Sequence, residues 1–427
     1  MIETAPRKRN QVKNSGWKNW IPCPKLNQSS PTVSEQALNQ LRLQNDWYIE
    51  WYNSFSEGQE AWQKLATSHN LFLSTEYFRL IEQLDLGGVS SGLAVFNHPQ
   101  HDSFGLVLQT FTLDLGDQMG KLDQNAEVGF WNGVVSGITQ KIAHKLKFNI
   151  LAAGQLLLTG PNGIKAQPDI DKKELSTLLS EGLEAIASDL PKKIHAIMLK
   201  DLDLDQYPKD SRFHPLPVQP NMILSVRSSW NNFDDYLGAM SSKYRVRVRR
   251  AKKKGKDIER REFDLEDLEI HKEKMHYLYK IIATQADFNT AVLPVDYFLK
   301  WKKHFPARFR VWGYFIEDKL IGFSSAVYNG HEFEAHYIGF EQKYNRSHQL
   351  YLNILYDFVE EAIVSESASL IFCRTALEIK SSVGAEAKEL HCWIKSRVKG
   401  SNRLVATVAQ LIAPPQEWQA RHPFKEK

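Results

Sequence analysis

Cysteine is scarce: Cys23, Cys373 and Cys392 are the only three in 427 residues. An odd number, with no C-x-x-C pair and no companion histidine spacing, argues against a disulfide framework and a zinc cluster. Free thiols in a reducing compartment, the cytoplasm, and no metal are expected. Long apolar runs are missing too. No window approaches the roughly 18 continuous apolar residues of a membrane-spanning helix, and the opening residues lack the form of a secretory signal. A strong charge of one sign is also lacking, since 54 Lys and Arg face 50 Asp and Glu for a net of +4. An anionic partner therefore has to be argued from local patches.

What is present is material for a core. Hydrophobic residues make up 42% and aromatic residues 11%, which excludes a disordered chain and predicts an aromatic-rich interior. The length exceeds what one core usually serves and predicts two domains. Residues 1–45 carry Arg7, Lys8, Arg9, Lys13, Lys18 and Lys25 with no acid between Glu3 and Glu35, and read as a basic, loosely ordered arm. Trp17 and Trp20 make that arm a possible docking handle. Prolines 208, 215, 217 and 220 mark a boundary, giving an N-terminal domain over 46–219, a C-terminal domain over 220–412 and a polar tail over 413–427.

The first domain alternates. Strands are predicted at Trp47–Asn53, Gly92–Phe96, Phe104–Leu113, Gln155–Thr159 and Ile194–Leu199. Helices are predicted at Gly58–Ala66, Thr75–Gln83, Asn125–Leu146 and, after the turn Gly160–Gly163, up to Leu190. The second opens with a helix over Asp234–Lys254, in which Leu237, Met240, Tyr244, Val248 and Ala251 face a core. A strand at Ile258–Phe263 and a helical region from Leu265 to His304 come after it. Next is a three-stranded meander whose Asn329-Gly330 pair is a strong hairpin signal. A polar loop, Tyr344 to His348, then leads to a helix with Tyr351, Leu355, Phe358, Val359 and Ala362 inward and to the strand Leu370–Cys373. The fold class is α/β (α+β), and the strand, turn, helix, strand order occurs in both halves, as in a tandem pair.

The segments SSKYRVRVRRAKKK (Ser241–Lys254), GFEQKYNRSHQLYLNILYDFVEEAI (Gly339–Ile363) and FCRTALEIKSSVGAE (Phe372–Glu386) resemble GNAT acyltransferases, in the bacterial branch related to the Fem peptidoglycan-bridge aminoacyltransferases. FLSTEYFRLIEQ and FGLVLQTF extend the resemblance loosely into the first half. It implies tandem GNAT-like domains, each a mixed, mostly antiparallel sheet flanked by helices, with central strands that splay to admit an acyl-CoA. It also implies transfer of an acyl or aminoacyl group, from acyl-CoA or acetyl-CoA or from charged tRNA, to an amine on a small molecule or peptide precursor. A typical acetyl-CoA enzyme of this kind has R/Q-x-x-G-x-G/A before its helix. Asn345, Arg346, Ser347 and His348 stand there without glycine, so Arg346, Ser347 and His348 are the residues to meet a donor's phosphates at the helix start.

Amide formation needs a proton acceptor for the amine and donors for the carbonyl oxygen. Strict alternation over Glu332–Phe340 puts Phe333, Ala335, Tyr337 and Gly339 on one face and Glu334, His336, Ile338 and Phe340 on the other. Glu334 and His336 then form an acid/base pair, either one relaying the amine proton, or else a solvated carboxylate and a satisfied histidine, while Tyr337 or backbone N–H groups steady the carbonyl. Arg374, Glu378 and Lys380 come after an apolar strand and either bind phosphate or carboxylate or form a local ion-pair cluster. Cys373 reads as packing. Lys243, Arg245, Arg247, Arg249, Arg250, Lys252, Lys253, Lys254 and Lys256 crowd one helix with almost no acid. This is either a solvated face or a site for phosphate, tRNA or nucleotide, with Lys243, Arg247 and Arg250 as contacts. Two rivals from other classes stand beside the enzyme: a non-catalytic tandem GNAT module binding RNA or another polyanion, and an assembly protein docking through its arm.

Overall fold

Apolar alternation in the first half builds a meander. Strands β1 (Asn39–Arg42), β2 (Tyr48–Tyr52), β3 (Ser90–Asn97), β4 (Phe104–Asp114) and β5 (Lys147–Ala153) lie side by side and antiparallel, with helices α1 (Phe55–Lys64) and α2 (Thr75–Glu82) between β2 and β3. A short β6 (Ile164–Lys165) pairs with β4. Helix α3 (Lys172–Asp189), capped by the Asp171 carboxylate, returns the chain so that β7 (Ala196–Leu202) runs parallel to β5. This computed structural model describes residues 39–114, 147–202, 213–216, 218–284, 291–398 and 417–425. The arm with Trp17, Trp20 and Cys23, the helix expected at Asn125–Leu146, and Pro208 and Pro217 lie outside the described residues.

The second sheet repeats the plan. After β8 (His214–Leu216) and β9 (Asn221–Ser225) come helices α4 (Phe233–Ala239) and α5 (Ser242–Lys254), strand β10 (Glu259–Glu262), and helices α6 (Leu265–Ala283) and α7 (Tyr297–His304). The three-stranded meander is β11 (Phe309–Ile316), β12 (Lys319–Asn329) and β13 (Glu332–Phe340), with Gly330 at φ 63° in the expected turn. Helices α8 (Gln342–His348) and α9 (Leu350–Val364) cross to β14 (Ser369–Ile371), parallel to β13, and α10 (Leu377–Ser381) leads to β15 (Glu386–Lys388). The order is β10-β11-β12-β13-β14-β9-β15. The last strand, β16 (His391–Ser396), sits between β7 and β8 in the first sheet. Among the described residues these are two mixed, mostly antiparallel sheets flanked by helices, each with a single parallel joint.

The joints correspond closely. Ile150–Ala153 pairs with Ala196–Leu199, and Glu332–Glu334 with Ser369–Ile371. Two residues beyond the last partner stand Asp201 and Cys373, both left-handed at φ 60° and 58°. The strand expected at Gln155–Thr159 is instead an irregular crossing, because β5 ends at Ala153 and Gly154 turns away at φ 126°. Its Leu157 carbonyl accepts from the Tyr337 hydroxyl at 3.2 Å. The helix expected over Asp234–Lys254 is broken at Met240, which is extended at ψ 154°. There Ser241 N–H donates to the Pro423 carbonyl at 2.9 Å, an interaction that no local pattern announces.

One aromatic core spans both halves. Phe55, Trp62, Phe72 and Tyr77 pack in the same cluster as Leu278, Tyr297, Trp301, Phe309 and Phe323. A second core lies under α9 on the other face of the second sheet, where Phe333 and Phe340 meet Leu355, Phe358 and Val359. Helix α6 approaches β13 closely because Gly339 has no side chain. A Cβ there would come within 2.5 Å of the Leu278 backbone carbon and the Phe323 ring, and 2.6 Å of Tyr279 N. Gly339→Ala is expected to lower unfolding free energy by about 1–3 kcal/mol through overpacking. Urea unfolding measures this, and a wild-type midpoint would show that α6 yields freely.

Candidate functional site

Strand β13 is not regular. Ala335 pairs with Ala326 and Ile338 with Ser324, so His336 and Tyr337 together oppose Ser325 in a bulge. The Ser325 hydroxyl bridges it, accepting from Tyr337 N–H at 3.0 Å and donating to the Tyr337 carbonyl at 2.9 Å. The extra residue reverses the facing of everything after it. Phe333, Ala335, Ile338 and Phe340 pack in the core under α9, while Tyr337 and Gly339 turn to the shared core with Glu334 and His336. The alternation expected for this strand therefore holds for Glu334 and His336 and fails after His336, so that all three candidate residues come to one face.

Glu334 is 8% exposed, and Asn329 Nδ2 donates to its Oε1 at 2.7 Å. Asn329 also donates to Asn70 Oδ1 at 3.2 Å and accepts from Leu71 N–H at 2.6 Å, so the turn residue ties the carboxyl to the first half. Burial pushes the Glu334 carboxyl up to about 8, against the one lowering bond from Asn329. His336 belongs to a different contact: its Nε2 and the Tyr297 hydroxyl share a hydrogen bond of 2.8 Å, and Trp301, Phe309 and Tyr337 surround its ring. Burial pushes the imidazole down to about 3, leaving it neutral. Glu334 and His336 are thus separately partnered, and of the two the carboxyl is the group that titrates near neutrality.

Beyond Glu334, β13 and β14 part. The Cys373 thiol enters the gap and meets the Ala335 carbonyl at 3.5 Å; burial and then the nearby Glu334 raise it to about 11, which keeps it a thiol. Arg374 turns to the first half, bonding Asp201 Oδ1 and donating to the Gln219 carbonyl at 3.0 Å. Burial alone would raise the Asp201 carboxyl, but Lys200 and Arg374 hold it low. Lys380 is buried and donates to the Cys373 and Arg374 carbonyls at 3.2 and 2.5 Å. The ion-pair cluster imagined among Arg374, Glu378 and Lys380 does not form, since Glu378 pairs with Arg421 at 3.1 Å.

Four of the expected contact residues share one cavity. Lys243, Arg247, Arg250 and Glu378 line a cleft of about 780 Å³, together with Tyr244, Gln349 and Arg421. Gln349 caps α9 in the left-handed region at φ 52°, and its Oε1 is buried without a partner. The polar loop expected at Tyr344–His348 is the helix α8. Lacking glycine, the segment closes helical turns and postpones the reversal to Gln349. Arg346 and Ser347 are exposed on α8, and the Ser347 hydroxyl bonds its own helix at Lys343 and His348 Nδ1 at 2.7 Å. None of Glu334, His336, Tyr337, Arg346, Ser347, His348, Arg374 and Lys380 lines the cleft. Gln349, Arg421 and Asn70 carried no sequence signal of their own.

No family model matches this chain, and no curated protein matches it. Solved structures similar to it include FemX, at 12% identity over 87% of this chain and 99% of that one, with a TM-score of 0.46. Another is a tandem GNAT protein from the clavulanic acid biosynthesis pathway, at 9% identity over 82% and 98%, with a TM-score of 0.44. A third is a GCN5-related N-acetyltransferase from Sphaerobacter thermophilus, at 11% identity over 79% and 89%, with a TM-score of 0.37. These are the GNAT and Fem names that the sequence resemblance raised.

The folded Glu334 carboxyl holds its proton to about pH 8, against an ordinary value of 4.5. The unfolded chain releases that proton first, so stability is lost as pH rises through this interval. Glu334→Gln, neutral throughout, is expected to match wild type near pH 4.5 and to exceed it in Tm above about pH 8. A Tm difference that stays flat across the interval would mean that the carboxyl is not held protonated.

Proposed function

We propose that the chain is an N-acyltransferase of the GNAT type, working in the cytoplasm, that moves an acyl or aminoacyl group from an activated donor, acyl-CoA or acetyl-CoA, onto an amine of a small molecule or peptide precursor. The observation that supports this reading is the parting of β13 and β14 after three parallel pairs, together with a basic cleft lined by residues of the helices that follow the two strands. Gln349 opens the crossover helix after β13, and Glu378 with Ile379 lies in the helix after β14. The carboxyl ends of parallel strands are where such folds commonly receive ligands.

In this reading Lys243, Arg247 and Arg250 hold the donor's phosphates, and the acyl end lies along the open edge of β13. Glu334, once ionised, takes the proton of the attacking amine as the new N–C bond forms and the bond to the donor's thiol breaks. Main-chain N–H groups of β13 steady the carbonyl oxygen, because the Tyr337 hydroxyl is engaged with Leu157. His336, neutral and held by Tyr297, positions Tyr337 rather than relaying the proton. Charged tRNA as donor is the second reading. It is favoured by Arg249, Lys253, Lys254 and Lys256, which extend the basic surface of α5 and the turn after it outside the cleft.

Thiol release from acyl-CoAs against a panel of amines tests the reading. Turnover is expected to rise with pH toward about 8 as Glu334 ionises. Glu334→Gln is expected to lose about 10²- to 10⁴-fold in kcat and that pH dependence with it. Turnover with tRNA-borne donors alone would select the second reading. Salt-sensitive binding of any polyanion with no turnover would leave the non-catalytic module.

A further inference from the structure

The segment 417–425 is anchored to α10, which lends Glu378 to the cleft, and to the residues just before α5, which lends it Lys243, Arg247 and Arg250. On one side Arg421 N–H donates to the Ser381 hydroxyl at 3.0 Å and Gln419 N–H to Glu378 Oε1 at 3.2 Å. On the other, Lys425 N–H donates to the Ala239 carbonyl at 3.1 Å, and Phe424 bridges Met240 just before α5. Phe424 lies against Trp230, Tyr236 and Gly384, with the Arg227 guanidinium 4.5 Å from its ring. The backbone that carries Arg421 is therefore fixed, while the Arg421 side chain reaches into the cleft.

Among the lining residues, Glu378 is the only carboxylate, set among Lys243, Arg247, Arg250 and Arg421. Its partner is Arg421 at 3.1 Å, with side chains 50% and 38% exposed. A pair so open to water adds little to stability. Its geometry is nevertheless that of a ligand contact, since a carboxylate and a phosphate accept from a guanidinium in the same way. Arg421, and then the Gln419 N–H, hold the Glu378 carboxyl below its ordinary range, so it stays charged.

We infer that Glu378 is a displaceable counter-ion standing where a ligand phosphate would bind, and that Arg421 is a specificity-determining residue of the donor site, supplied by the end of the chain. The inference rests on the cleft holding the donor's phosphates. Removing each partner of this single ion pair then acts in opposite directions on binding, which a merely structural pair would not do.

Isothermal titration of the full chain with coenzyme A and with inorganic pyrophosphate tests this. Glu378→Gln is expected to tighten binding about 2- to 5-fold and Arg421→Gln to weaken it by a similar factor. Arg247→Gln serves as the control for the cleft, and thermal unfolding confirms that each variant is folded. If Arg247→Gln weakens binding while both Glu378→Gln and Arg421→Gln leave it unchanged, the inference falls and the cleft stands. Weaker binding by Glu378→Gln overturns the counter-ion role, because the carboxylate would then be holding Arg421 in place for the ligand. If the wild type binds neither probe, the donor cleft itself is refuted.

Discussion

Glu334 keeps its proton at neutral pH because the first half of the chain covers it. Asn329 holds the carboxyl with one end of its amide and Leu71 N–H with the other, while Tyr77 closes the shared core beside them. Without that cover the carboxyl would face water and behave as an ordinary acid. The chemistry proposed for the second sheet therefore belongs to the pair of halves, and the interface between them is part of the site. The bulge at His336–Tyr337 belongs to the same constraint, since it turns Tyr337 toward the first half, where its hydroxyl meets Leu157.

The second sheet was largely legible from the sequence. Its meander, the Asn329-Gly330 turn and the inward face of α9 come from local periodicity and turn chemistry, which act over a few residues. The facing of Tyr337 was not, because a bulge depends on a hydroxyl, Ser325, on the neighbouring strand. The double duty of Asn329 was hidden for a similar reason. Its turn role and its bond to Glu334 five residues on are local, but its bond to Asn70 depends on docking across 259 positions of chain. The basic helix was visible as composition, and Lys243, Arg247 and Arg250 do meet in one cleft. Arg421, more than 170 residues later in the chain, was not.

The two parallel joints show what distinguishes the halves. The last paired residue before the strands part is Ala153 in the first sheet and Glu334 in the second. Two positions beyond the partner strand's last pair stand Asp201 and Cys373 in the same backbone conformation. In the first sheet the gap is filled by Lys200, whose ammonium donates to the Leu158 carbonyl at 2.6 Å and pairs with Asp201. A second-half residue, Arg374, joins that network. The second gap holds the Cys373 thiol, with the buried Lys380 ammonium on the Cys373 carbonyl. One scaffold thus carries a joint fastened across the halves by a buried ion-pair network and a joint occupied by a thiol.

The strand β16 has a consequence for how this protein is made. It is formed by residues 391–396, yet its partners, β7 at Ala196–Leu202 and β8 at His214–Leu216, were laid down far earlier in the chain. On the ribosome, which delivers domains from the amino end, the first sheet waits with an unfilled slot until almost the whole chain has emerged. An unpaired strand edge is a template for wrong partners, so the nascent first sheet is exposed to association while the second half is being made. Neither half closes its sheet from its own residues: a gene split at the proline-rich boundary would leave β16, a strand of the first sheet, in the product that carries the second.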